Sequence, residues 1–162
     1  MATDIKPLVS RDIAHHSAPK FSLINQFHGR IAVISMGEVN VELVILLSNQ
    51  ESIVATAGLS AFEKMDARLN SPVTALVRES TILLSSEEDT PMLSTRNSMS
   101  GIVSSIKKGP VNAEVTLQIK GNASLVSTIG IDELNILKCH PGDRVSANFK
   151  ASEVIIATRN IF

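Results

Sequence analysis

The chain has no tryptophan and no tyrosine, and its aromatic content is only 3%, all of it in five phenylalanines. Proteins that hold single-stranded nucleic acid stack the bases on aromatic side chains within a basic groove. Neither tool is present. The phenylalanines are scattered, and 15 basic residues are balanced by 16 acidic ones for a net charge of −1. Nucleic acid is therefore not an expected partner. Cysteine is nearly missing too: Cys139 alone cannot make an internal disulfide, which points to a cytoplasmic setting. No apolar run approaches the roughly 18 residues of a membrane span, so no membrane partner is expected. Residues Met1 to Lys20 lack the hydrophobic segment of a secretory signal. There is no phosphate loop, Ser-His-Asp set or metal-ligand cluster, so neither an enzyme nor a transporter ATPase is expected. His15-His16 have no thiol or carboxylate beside them, and no direct cation ligands are expected.

What the chain has instead is aliphatic residues and repetition. Apolar residues make up 44% of the sequence, and the mean hydropathy is +0.19. That is high for a chain of small units, whose surface can be only partly buried. Apolar surface is expected to be covered between units and between chains, in a homo-oligomer. The repeat is gapless at 72 positions: Gly29 falls on Gly101, Gly37 on Gly109 and Gly58 on Gly130. The pattern G-x-V-N-x-E occurs as Gly37, Val39, Asn40, Glu42 and again as Gly109, Val111, Asn112, Glu114. A fixed period without insertions means one structural unit written twice. Residues 1–21 read as a flexible arm, 22–84 as the first unit, 85–93 as a solvated linker and 94–158 as the second unit.

Within each unit the apolar period is two. Val111, Ala113, Val115, Leu117 and Ile119 share one face, and Val39, Val41, Leu43, Ile45 and Leu47 do the same in the first copy. Further strands are expected at Gly101–Ile106, Leu125–Ile129, Arg144–Phe149 and Val154–Ala157. A short helix is expected at Asp132–Leu137, N-capped by Asp132, and its twin is expected to start on a Ser60/Glu63 capping box. Five strands with a helix between the third and fourth describe an OB-like barrel. The expected fold is all-β: two tandem OB-like barrels, each of five strands and one short helix.

The chemistry-bearing residues are hydrogen-bond donors. Ser94-Thr95-Arg96 precede the first strand of the second unit, Lys150-Ala151-Ser152 follow its fourth, and Ile129-Gly130 lead into the short helix, whose first N–H groups are expected to be free to bind an anion. Hydroxyls, amides, one guanidinium and one ammonium suit a small oxyanion. The plain alternative is a turn with two ordinary surface cations.

The same residues carry a family likeness. S-T-R-N-x-x-x-G-x-V at 94–103, I-K-K-G-P-V-N-A-E-V at 106–115 and F-K-A-S-x-V-I-I-A at 149–157 resemble the Mop (molbindin) family, the TOBE-type domain in tandem. The resemblance spans residues 22–158 and is closer in the second copy. It implies OB-like barrels that bind molybdate, often tungstate, between subunits. Carried onto this sequence, Ser94, Thr95, Arg96, Lys150, Ala151 and Ser152 would hold the anion, with the backbone of Ile129 and Gly130 closing the shell. Departures near Gly130 and Glu133 remove hydroxyls that the family has there. The G-x-V-N-A-E segment is either a second class of site near a symmetry axis or a turn entering a strand. In the first copy Ile24 replaces the arginine and Arg78-Glu79 replace lysine-alanine, leaving Ser22, Gly58, Arg78 and Ser80 as a weaker set. The implied function is molybdenum storage or homeostasis, with molybdate or tungstate as ligand and no organic cofactor. A ligand-sensing regulatory module is the alternative, without its own DNA-binding domain, since the 21 N-terminal residues are too few for one. A trimer is favoured over a dimer.

Overall fold

The computed structural model describes residues 24–87 and 92–158. The N-terminal arm, His15-His16, Ser22 and the middle of the linker fall outside that range.

The first half of the chain forms β1 (Ile24–Met36), β2 (Asn40–Leu47), β3 (Ser52–Gly58), α1 (Leu59–Met65), β4 (Pro72–Arg78) and β5 (Leu83–Ser86). The second half repeats this as β6 (Asn97–Lys108), β7 (Asn112–Ile119), β8 (Ala123–Gly130), α2 (Ile131–Leu137), β9 (Arg144–Phe149) and β10 (Ile155–Thr158). These are two OB-like barrels, as the alternation of apolar residues requires. Inward positions Val41, Leu43, Ile45 and Val115, Leu117 are fully buried.

Two inward assignments need correction. Val39 and Val111 are 79% and 71% exposed. The strands start one residue later, because Gly37 and Gly109 donate to the carbonyls of Asn40 and Asn112 and close a tight turn over the intervening valines. The helix starts also differ. The N-cap of α1 is Gly58 without a side-chain cap, so Ser60 lies inside the helix. It is α2 that carries an acidic cap, with the Gly130 N–H donating to Glu133 Oε1 at 2.8 Å, and Asp132 sits in its first turn.

The long first strands let each barrel curl. The N-terminal half of β1 pairs with β4 and its C-terminal half with β2, with an irregularity at Ile31/Val33; β6 repeats this with its shift at Val103/Ser105. A bulge of this kind bends a strand so that it can serve both sides of a barrel. At the crossover sits Gly29, where an added Cβ would lie 2.5 Å from the Leu46 carbonyl oxygen.

The fifth strands are exchanged. One sheet runs β10-β4-β1-β2-β3 and the other β5-β9-β6-β7-β8. Strand β10, from the end of the second half, pairs with β4 of the first, while β5 pairs with β9. Each barrel is completed by the other half of the chain, so the apolar core runs continuously through both.

Candidate functional site

Two asparagines weld the units together. Asn97 donates from Nδ2 to the Val54 carbonyl and accepts from the Val54 N–H, both at 2.8 Å. Asn25 does the same to Val126, at 2.8 and 2.9 Å, and its amide also reaches the Val77 carbonyl. Val54 and Val126 lie on β3 and β8, the last strand of each sheet, whose outward peptide groups have no neighbouring strand. A primary amide carries a donor and an acceptor side by side, so one side chain imitates a missing strand. Asn25 and Asn97 are themselves buried.

This join creates two equivalent faces, each built from both halves. On face one, Arg96 and Lys150 follow the last ladder pair, Asn97–Phe149, on adjacent strands. They emerge side by side and exposed. The following turn, Ala151–Glu153, packs on β3 of the first half. Ala151 is buried, whereas Ser94, Arg96 and Ser152 are exposed and Thr95 half-buried. Thr56, Ala57 and Gly58 form the end of β3. On face two, Ile24 pairs with Arg78, and the turn Glu79–Thr81 packs on β8. Thr128 donates to Glu79 Oε1 at 2.9 Å, and Ser127 donates to the Ile82 carbonyl at 3.0 Å. Beside this turn runs a groove of ≈ 350 Å³ between Ser80–Leu84 and Thr128, Ile129, Glu133 and Leu137.

The grouping of site residues therefore differs from the one read in sequence. Arg96 and Lys150 flank the ladder pair Asn97–Phe149. Ile129 and Gly130 lie with Arg78 and Ser80, and Gly58 lies with β3 beside Lys150–Ser152. Strand exchange is the reason, and no local signal in the sequence announces it. The helix-start amides next to Gly130 are also spoken for: Gly130 N–H by Glu133 and Ile131 N–H by the Val111 carbonyl.

One contact was not legible in sequence at all. Arg96 makes a forked ion pair with Glu42 of the first half, Nη1–Oε2 2.5 Å and Nη2–Oε1 3.3 Å. Both partners are substantially exposed. Glu42 uses two of five guanidinium N–H donors, which leaves three directed elsewhere. Glu42 belongs to the first G-x-V-N-x-E segment, whose glycine and asparagine make the turn described above, while the Val39 carbonyl accepts from Leu59 N–H to anchor α1. Among the described residues no group of three or more His, Cys, Asp and Glu side chains is arranged to hold a metal ion, and no helix is long and apolar enough to cross a membrane.

Two β-barrels joined through exchanged strands, each presenting hydroxyl and cationic side chains at the seam, make up a tandem OB-like module. The TOBE domain family matches the chain twice, over residues 22–84 and 93–156. The chain belongs to that family, in its tandem Mop form. Its fold superposes on the crystal structure of ModG, a cytoplasmic molybdate-binding protein determined with molybdate bound, with a TM-score of 0.83 and 33% identity, covering 87% of this chain and 100% of that one. It is 33% identical over 145 residues to the molybdenum transport protein ModE of Azotobacter vinelandii, which is 90% of this chain and 53% of ModE. It is also 38% identical over 64 residues to molybdenum-pterin-binding protein 3 of Clostridium pasteurianum, 40% of this chain and 94% of that protein. The chain thus spans about half the length of the ModE protein it matches.

Proposed function

We propose that the chain binds molybdate, and tungstate by the same chemistry, on face one and serves molybdenum storage or homeostasis in the cytoplasm, without catalysis. The observation that carries this reading is the side-by-side emergence of Arg96 and Lys150 at the end of β6 and β9. Ser94, Thr95 and Ser152 add hydroxyl donors around them, and Ala151 keeps the start of the turn small and uncharged. Thr56–Gly58 take the backbone position that the sequence assigns to Ile129 and Gly130. The likeness to ModG, which binds molybdate, supports the ligand.

Selectivity follows from donor inventory. Molybdate at neutral pH is a proton-free dianion and only accepts hydrogen bonds. Hydrogen phosphate brings a proton that needs an acceptor, and where the shell hydroxyls and cations all donate to the anion that proton goes unpaired, at a cost of roughly 1–3 kcal/mol. Two cations compensate the dianion's loss of water. Sulfate has the same charge and differs in size. Binding opposes the Arg96–Glu42 pair, so the guanidinium turns its remaining donors, or all of them, toward the ligand.

Exposed Val33, Met36, Val39 and Val111 support association of several copies, with a trimer favoured. Ligand and assembly are then linked, since anything that binds the assembled form stabilises it. Molybdate should raise the melting temperature strongly, sulfate weakly and phosphate hardly at all. Titration calorimetry on Arg96→Ala and Lys150→Ala should show most of the affinity lost in each. Equal stabilisation by the three anions, or wild-type affinity in both variants, refutes the assignment.

A further inference from the structure

We propose that the two faces are unequal by construction: face two supplies its own anions and is thereby closed to external oxyanion, leaving one site of this kind per chain. This deepens the function proposed above and rests on face one being the oxyanion site.

Residues 72 positions apart occupy matching places on the two faces. On face two Glu79 stands where face one has Ala151, and its carboxylate takes the Thr128 hydroxyl at 2.9 Å. Glu133 stands where α1 has Ala61, and its carboxylate takes the Gly130 N–H at 2.8 Å, whereas α1 has no acidic residue in its first turn and no side-chain cap. Two donors that an incoming anion needs are therefore already donating to carboxylate oxygens of the chain itself.

The third difference is in charge. Each face has a glutamate on its second strand, across the ladder from a threonine: Glu42 opposite Thr56 and Glu114 opposite Thr128. On face one Glu42 is paired with Arg96, and Lys150 remains. On face two the arginine's place is held by Ile24, so Arg78, with Lys107 across the ladder from Glu114, is set against three carboxylates, Glu79, Glu114 and Glu133. A doubly negative ion meets a balanced face in one case, Arg96 and Lys150 against Glu42 and Glu153, and a net negative face in the other, and like charges at such range repel. Face two has become structural: its carboxylates hold the turn and α2 in place from inside the chain.

Equilibrium dialysis against sodium molybdate, with molybdenum counted per chain by mass spectrometry, tests this. The variant Ile24→Arg/Glu79→Ala/Glu133→Ala rebuilds face two in the image of face one. It should hold one more molybdate per chain than the unaltered protein. Adding Arg78→Ala should remove that gain, and adding Lys150→Ala should remove the original site while sparing the new one. A folded triple variant with no extra molybdate overturns the proposal. So does Ile24→Arg alone gaining the site with both carboxylates in place. If the alanine set does not fold, Ile24→Arg/Glu79→Gln/Glu133→Gln keeps the side-chain shapes and removes the charge, and the same gain is expected. Should the unaltered chain take up no molybdate, the assignment of face one fails. The difference between triple variant and unaltered chain still decides closure: a gain supports it and no gain refutes it.

Discussion

Replacing Asn97 with alanine isolates the join between the barrels. The amide makes two hydrogen bonds of 2.8 Å to one residue, Val54. Val54 lies on the last strand of its sheet, so the substitution leaves one N–H and one C=O without a protein partner. Each orphaned buried group costs roughly 1–3 kcal/mol. Val54 is half-buried, so water recovers part of that, and a total loss of about 2–4 kcal/mol is expected. The assay is urea denaturation followed by far-UV circular dichroism, because the chain has no tryptophan to report by fluorescence. The midpoint should fall with the slope unchanged, since the surface exposed on unfolding stays the same. Asn97→Asp is the discriminating control. Its carboxylate still accepts from the Val54 N–H but sets an oxygen against the Val54 carbonyl, so it should be at least as destabilising as alanine at neutral pH. A loss under about 0.5 kcal/mol for alanine, the range of ordinary surface substitutions, or an aspartate variant as stable as the asparagine original, would refute the idea that this amide stands in for a strand.

Three further outcomes follow from particular contacts. Glu42→Gln should tighten molybdate binding by up to about tenfold, because it removes a carboxylate from Arg96; calorimetry that finds weaker binding would mean Glu42 mainly positions the arginine. Its effect on stability should stay below about 1 kcal/mol, as for exposed ion pairs generally. Gly121→Ala should lower the thermal midpoint, since Gly121 has φ +76° and an added Cβ would lie 2.4 Å from the Asn49 Cβ; an unchanged midpoint would show that the two hairpin loops are free to separate. Burial, and secondarily the Asp143 carboxylate, raise the Cys139 thiol above its ordinary value of 9.0. The unfolded chain then loses this proton first, so the thiol's contribution is full below about pH 9 and is lost as pH rises through the folded-state value. Cys139→Ala should therefore flatten the alkaline fall in stability, and parallel pH profiles for the two proteins would exclude the cysteine as its cause.

Much of the barrel was written locally. Alternating aliphatic residues over Val41–Leu47 and Ala113–Ile119 demand strands with one buried face, and the gapless repeat demands that whatever the first half folds into, the second half folds into as well. The Pro-Gly pair in His140-Pro141-Gly142-Asp143 marks a turn by residue type, and there Gly142 adopts φ +98°. Errors fell where a neighbour outside the local segment decides. Val39 and Val111 continue the alternation but are lifted out by turns that close around them, and the helix starts are set by Gly58 and Gly130 rather than by the nearest capping residue.

Composition, period and motif alone established two copies of an OB-like unit and a set of donors including Arg96, Lys150 and Ser152, because strand alternation and residue chemistry are properties of neighbours along the chain. Which half of the molecule each donor faces came from the folded protein. Exchange of the fifth strands and the Asn25 and Asn97 amides bring Glu42 to Arg96, β3 to Lys150–Ser152 and Glu79 to Thr128. Those pairings join residues roughly 50 to 100 positions apart. No periodicity encodes them, since they depend on how two barrels are joined and not on how either one is built.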